Sequence, residues 1–171
     1  MPKIIDHDAH SQDLARRAAA YFSQHGYGGT SMRKIAQHLG LSKSALYHYF
    51  PTKEALFLAC TRQVMPGEDA LPQNATGSET DRLQALKEMM GQDFAAEMAL
   101  IFDYLRGKSQ AEIAQDEAMQ LALSAYRGAV AAIVGETQSE HVLAQIMGEL
   151  MLVYLSGGKT QKTPQPHGVT G

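Results

Sequence analysis

The twenty-four residues from Thr30 to Lys53, TSMRKIAQHLGLSKSALYHYFPTK, allow few backbone paths. Ile35 and Leu39 lie one helical turn apart with Ala36 beside them, Gly40 follows the last turn, and Leu41 and Leu46 resume the apolar pattern. Two short helices sharing one apolar face satisfy this spacing. Ala36 is small where a second helix must cross closely, and Gly40 can take the positive φ that ends a helix and turns the chain sharply. Ser31 and Ser42 stand at N-cap positions, and Pro51 disfavours helical geometry at Phe50. The segment therefore predicts a helix, a tight turn and a second helix. Its exposed positions carry Arg33, Lys34, Lys43 and Lys53, which weighs against a purely structural hairpin and towards contact with nucleic acid.

Charge divides the 171 residues in the same way. Residues 1–65 hold 8 Lys and Arg against 4 Asp and Glu, net +4, whereas residues 66–171 hold 7 against 14, net −7; together they make the overall −3. A basic head on an acidic body suits phosphate contact by the head alone. Cys60 is the single cysteine, so an internal disulfide and a cysteine zinc site are excluded, and it reads as a small buried hydrophobe. No apolar run is long enough to span a bilayer and the N-terminal MPKIIDHDAH has no secretory signal, so a cytoplasmic location without a membrane partner is expected.

The periodicity is helical throughout, which predicts an all-α fold. A first helix is expected from about Ser11 to Gln24, with Leu14, Ala18 and Phe22 as its buried stripe, broken by Gly26, Gly28 and Gly29. After the helix pair, Thr52-Lys53-Glu54 opens a fourth helix through Leu56, Phe57, Ala59, Cys60 and Val64. Beyond a Pro-, Gly- and Asn-rich stretch, helices are expected over Asp81–Met90, Gln92–Arg106, Gln110–Val134 and Ser139–Leu155. The last is apolar around most of its circumference. The expected organisation is a DNA-binding head over 1–51, a connecting helix over 52–65, a linker over 66–78, a helical body over 79–156 and a disordered tail over 157–171.

Phe22, Gly26-Tyr27, Thr30, Ile35-Ala36, Gly40-Leu41, Ser42-Lys43, Leu46-Tyr47, Phe50, Lys53 and Leu56 together resemble the TetR (tetracycline repressor-like) family of bacterial regulators, over roughly Leu14 to Leu58. The resemblance implies a three-helix DNA-binding head, a fourth helix leading to a helical ligand-binding body, and a homodimer built from the last two helices. Ser44, Ala45 and His48-Tyr49 depart from the residues frequent in the family, on the helix that would enter the major groove.

The expected DNA contacts are Thr30, Ser31, Arg33, Ser42, Lys43, Ser44, Ala45, Tyr47, His48 and Lys53. Ser42, Lys43 and Ser44 would reach base edges or nearby phosphates, Ala45 a thymine methyl, and Tyr47 and His48 phosphate. Thr30 and Ser31 would offer amides to another phosphate, and Lys53 would clamp the backbone from outside. Tyr27, Tyr49 and Phe50 fit core packing better than DNA contact. Two heads one helical turn apart would read a pseudo-palindromic operator.

For the body, Phe94, Met98, Phe102, Tyr126 and Met147 are candidates for a cavity binding a small, largely apolar effector, although flexible and aromatic residues equally fill cores. Tyr126, Val130, Ile146, Leu150 and Tyr154 are candidates for the dimer face. Asp93, Glu97 and Asp103 fit either the counter-charge of a cationic ligand or solvated helix faces. Residues 79–156 are few for such a body, so a small cavity or one completed by a partner subunit is expected. No catalytic, metal or cofactor motif is present: H-E-x-x-H, G-x-S-x-G and a phosphate-binding glycine loop are all lacking. The expected function is a ligand-released repressor; the alternative is a DNA-tethered adaptor for another protein.

Overall fold

The computed structural model describes residues 7–65 and 77–158. Among these, every regular element is an α-helix: α1 (His7–His25), α2 (Met32–Leu39), α3 (Lys43–Tyr49), α4 (Lys53–Val64), α5 (Glu79–Gly91), α6 (Phe94–Leu105), α7 (Gln110–Ala114), α8 (Glu117–Val134) and α9 (Glu136–Leu155). Most of the linker expected over 66–78 lies outside the described residues, and Ser78 at its end is the N-cap of α5, in a reciprocal capping box with Asp81. Of the tail expected over 157–171, Gly157 and Gly158 form the left-handed turn after α9, and the rest lies outside the described residues.

Leu14, Ala15, Ala18 and Phe22 form the buried stripe of α1, which runs longer at both ends than its apolar spacing indicates. α1 packs chiefly on α4, and α2 crosses both α1 and α3. One core joins these four helices through Ile35, Leu39, Leu46, Phe50, Leu56 and Phe57. That core does not stop at the head: it takes in Tyr104 from α6 and Ala118 and Met119 from α8. A second core, built from Leu86, Met90, Phe94, Met98, Val130, Leu143, Ile146 and Leu150, holds α5, α6, α8 and α9 together. Each fully buried Leu, Ile or Phe contributes about 1.5–3 kcal/mol.

The stretch expected as one helix over Gln110–Val134 is two. Asp116 breaks it, because its carboxylate Oδ1 accepts the amides of Ala118 and Met119 at 3.1 Å and so caps α8 afresh. Oδ2 of the same carboxylate accepts the Tyr104 hydroxyl at 2.6 Å and pairs with the Lys108 ammonium. Burial pushes the Asp116 carboxyl up, but the bonds from Lys108, Tyr104 and the Met119 amide outweigh it and hold it below the ordinary carboxylate range. α6 is likewise shorter than Gln92–Arg106, starting after Asp93. α9 starts at Glu136, directly after Gly135 (φ +82°), and not at Ser139, which is buried with its hydroxyl on the Glu136 carbonyl.

Candidate nucleic-acid interface and adjoining cavity

Gly40 adopts φ +72° and ψ 27°, and its neighbour Leu41 donates its amide back to the Ala36 carbonyl at 2.9 Å, closing α2 in a left-handed cap. Ser42 then starts α3, its hydroxyl accepting the Ala45 amide at 3.1 Å, and Phe50 ends it in extended backbone before Pro51. Leu46 is the one fully buried residue of α3 and pins it to the head core. With that face fixed, Lys43, Ser44, Tyr47 and His48 are exposed and Ala45 is half-buried. These are the side chains a short helix offers when its N-terminal half enters a groove.

Beside them runs an open groove lined by Thr30, Ser31, Arg33, Lys43, Tyr47, Thr52 and Lys53, between the starts of α2 and α4 and the outer face of α3. Arg33 and Lys43 are exposed there, whereas Lys34 turns its ammonium onto the Gly29 carbonyl at 3.0 Å. Thr30 is buried, with its hydroxyl on the Gly26 carbonyl and its amide on that of Tyr27, so both of its donors are engaged within the head. The Ser31 hydroxyl accepts the Lys34 amide and caps α2.

Lys53 is placed differently from a free outer clamp. Its ammonium donates to the Tyr27 carbonyl and sits 3.9 Å from the centroid of the Tyr27 ring, and burial lowers its pKa against the opposing pull of Glu54 and Asp103. Tyr27 in turn donates its hydroxyl to Glu54 at 2.8 Å. Burial, reinforced by that hydrogen bond to a carboxylate, raises the Tyr27 pKa. Tyr27 stands edge-on to Tyr104 with ring centroids 4.7 Å apart, and Tyr104 stacks on Phe57 at 4.1 Å. One residue along α6, the Asp103 carboxylate accepts the amide of Gly28 at 2.6 Å. Thus α6 grips the turn that precedes α2.

The same α6 forms one wall of a cavity of about 550 Å³, whose other walls are α1, α4 and α8. Ala19, Phe22, Phe57, Ile101 and Met119 make it largely apolar, and Arg16, Asp93, Glu97, Thr61 and Tyr126 supply its polar groups. Cys60 also lines it, with its thiol donating to the Ala15 carbonyl and its pKa pushed up to about 12 by burial. Among the described residues no cluster of His, Cys, Asp and Glu is arranged to hold a metal, and no single helix is long and apolar enough to cross a membrane.

Residues 14–60 match the signature of the bacterial regulatory proteins, tetR family. The chain carries a TetR-family head. The chain is 34% identical over 79 residues to the HTH-type transcriptional repressor AcnR of Corynebacterium efficiens, a match covering 46% of the chain and 39% of that protein. Over 44 residues it is 50% identical to the HTH-type transcriptional regulator RutR of Escherichia coli K12, covering 26% of the chain and 21% of that protein. The chain thus spans well under two thirds of the length of the curated relatives it matches. Beyond the head, the fold is similar to the transcriptional regulator FadR from Bacillus subtilis, solved in complex with stearoyl-CoA, with a TM-score of 0.60 at 16% identity over 88% of this chain and 90% of that one. A second solved structure, from Pseudomonas aeruginosa PAO1, gives a TM-score of 0.58 at 21% identity over 91% and 82%.

The body residues singled out from sequence are scattered. Met98 and Tyr126 line the cavity, whereas Phe94 is buried in the second core, Met147 packs against that core, and Phe102 is 54% exposed on the outer side of α6. Val130, Ile146 and Leu150 are buried within the chain's own core, and of the residues expected at a dimer face only Tyr154 is exposed. The large apolar side chains left on the surface of α8 and α9 are instead Leu123, Leu152, Tyr154 and Leu155. The cavity borrows Phe22 and Phe57 from the head and connecting helices, a sharing that helical periodicity does not signal.

Proposed function

We propose that this protein is a transcriptional regulator that binds operator DNA as a homodimer, α3 entering the major groove and Arg33 and Lys43 flanking it on the phosphates. The observation that carries the reading is the fixed exposure of Lys43, Ser44, Tyr47 and His48 on α3, with Ala45 half-buried beside them, while Leu46 anchors the opposite face. Sequence is read by Ser42, Lys43, Ser44 and Ala45, and phosphate is held by Ser31, Tyr47 and His48 together with the two exposed cations. Lys53 contributes its charge at the edge of the groove from its seat on Tyr27.

A single head makes too few base contacts for a specific site, and a second copy supplies the rest. Leu123, Leu152, Tyr154 and Leu155 form the apolar surface for that second copy. The cavity between α1, α4, α6 and α8 is the effector site, and its occupancy acts on DNA through α6, which touches both the cavity and the turn before α2. The regulator is a repressor released by its ligand. Selection of bound duplexes from a random pool by the purified chain tests the reading: an enriched pseudo-palindrome supports it. A pool that stays unenriched contradicts it, and an enriched operator with no cavity ligand favours a DNA-tethered adaptor.

A further inference from the structure

The cavity is largely apolar, and its two carboxylates both come from the start of α6. Asp93, just before the first turn of α6, and Glu97, one turn further on, both face it. Glu97 is half-buried, and the hydrogen bond it accepts among the described residues is a long one, from the Tyr126 hydroxyl at 3.5 Å. The cation lining the cavity, Arg16, is turned outward onto Asp13 with its side chain 69% exposed, so neither carboxylate has a cation within ion-pair distance among the described residues. A carboxylate withdrawn from water without a cation is costly, and a cation brought by a ligand removes that cost. The Tyr126 ring lines the same cavity as the carboxylates. An anionic head group would face two negative charges instead. The volume of about 550 Å³ lies within the range of small-molecule sites.

We propose that the cavity takes an apolar ligand carrying a positively charged nitrogen, with Glu97 as its counter-charge, Tyr126 orienting that carboxylate and Asp93 adding negative potential beside it. The proposal rests on the cavity being the effector site. Burial and the Asp93 charge raise the Glu97 pKa, opposed by the Tyr126 hydrogen bond. The other polar groups facing the cavity are Arg16 and Ser23 on α1 and Cys60 and Thr61 on α4. As pH drops, cation affinity falls as Glu97 takes its proton, at a pH raised above the carboxyl's ordinary value.

Calorimetric titration of the full chain with decyltrimethylammonium, decanol and decyl sulfate, each below its micelle concentration, tests this. Wild-type protein is expected to bind the cation about tenfold or more tighter than the alcohol, with the sulfate weakest. Glu97→Gln is expected to erase that preference, bringing cation and alcohol to similar affinity. In the wild-type protein, acidification weakens cation binding, each bound cation then displacing one proton from Glu97, and leaves decanol binding level. This readout stands even if the variant fails to fold. Equal wild-type affinities for cation and alcohol, or an undiminished preference in folded Glu97→Gln, overturn the counter-charge and leave an apolar effector site standing. Failure of all three compounds to bind overturns the effector site and the cation together.

Discussion

The amide of Gly28 donates to the Asp103 carboxylate at 2.6 Å, joining the turn in front of α2 to a helix whose N-terminal half lines the cavity. The neighbouring Tyr104 reinforces the joint by packing on Tyr27 and Phe57. Because Tyr27 also seats Lys53, displacement of α6 would be felt at two places on the DNA-facing side: the approach to α2 and the start of α4. Coupling of this kind is reciprocal, so a cavity ligand that weakens operator binding must itself be weakened by operator.

The tightness of that joint is open to a conservative substitution. Gly26 has φ +72°, and a Cβ built on it would lie 3.0 Å from Oδ2 of Asp103. Gly26→Ala should lower stability by about 1–2 kcal/mol from the left-handed backbone alone. It should also reduce the linkage between cavity ligand and operator, since Asp103 must give way. Urea unfolding together with titration of decyltrimethylammonium with and without operator measures both; wild-type values in both would refute the joint.

Lys43 and Lys53 separate charge from scaffold. Lys43 is exposed on α3, so Lys43→Ala should flatten the log–log salt dependence of operator binding by about one and leave stability within about 0.5 kcal/mol. Lys53→Ala removes a cation seated on the Tyr27 ring and carbonyl, and should lower stability by about 1 kcal/mol or more as well as weakening DNA binding. Identical behaviour of the two variants in urea would contradict the placement of Lys53.

Asp116 holds Tyr104, Lys108 and the start of α8 at once, with its side chain only 7% exposed. Asp116→Ala should cost about 2–4 kcal/mol, from the lost cap and from polar groups left without a partner. Because the folded-state carboxyl is held below its unfolded value, its contribution is present above the unfolded pKa of about 3.9 and is lost as pH falls through the lower folded one. Stability measured from pH 6 downwards should therefore fall less steeply in Asp116→Asn than in wild type. Parallel curves would exclude the linkage.

The helix-turn-helix half was legible because it rests on local rules: a glycine cap at Gly40, serine caps at Ser31 and Ser42, and one apolar face through Ile35, Leu39 and Leu46. Those rules act within a few residues, so the spacing carries them. The body was less legible for the opposite reason. Asp116 divides a run of good helix formers because Tyr104 and Lys108 hold its carboxylate, and Val130 and Ile146 are buried in the core that α8 and α9 share with α5 and α6. Phe102 has the composition of a cavity residue and the position of a surface one. Nothing in helical period alone shows which side of α6 faces α1.

Dimerisation is predicted to reside in the outer faces of α8 and α9. Leu152 is 68% exposed and Leu155 72%, so Leu152→Asp should leave the fold intact while shifting the protein towards monomer. Sedimentation equilibrium checks this, and operator affinity should fall with the loss of the dimer. A Leu152→Asp dimer as tight as wild type would place the interface elsewhere.

Joint reading of one duplex by two α3 helices is tested by half-site spacing. Once a pseudo-palindrome has been selected, the affinity of the purified chain is measured for that duplex and for one lengthened by about half a helical turn between the half-sites. Two heads held about 34–36 Å apart predict tight, steeply salt-dependent binding to the first and a large loss on the second. Equal affinity for both duplexes would contradict the account.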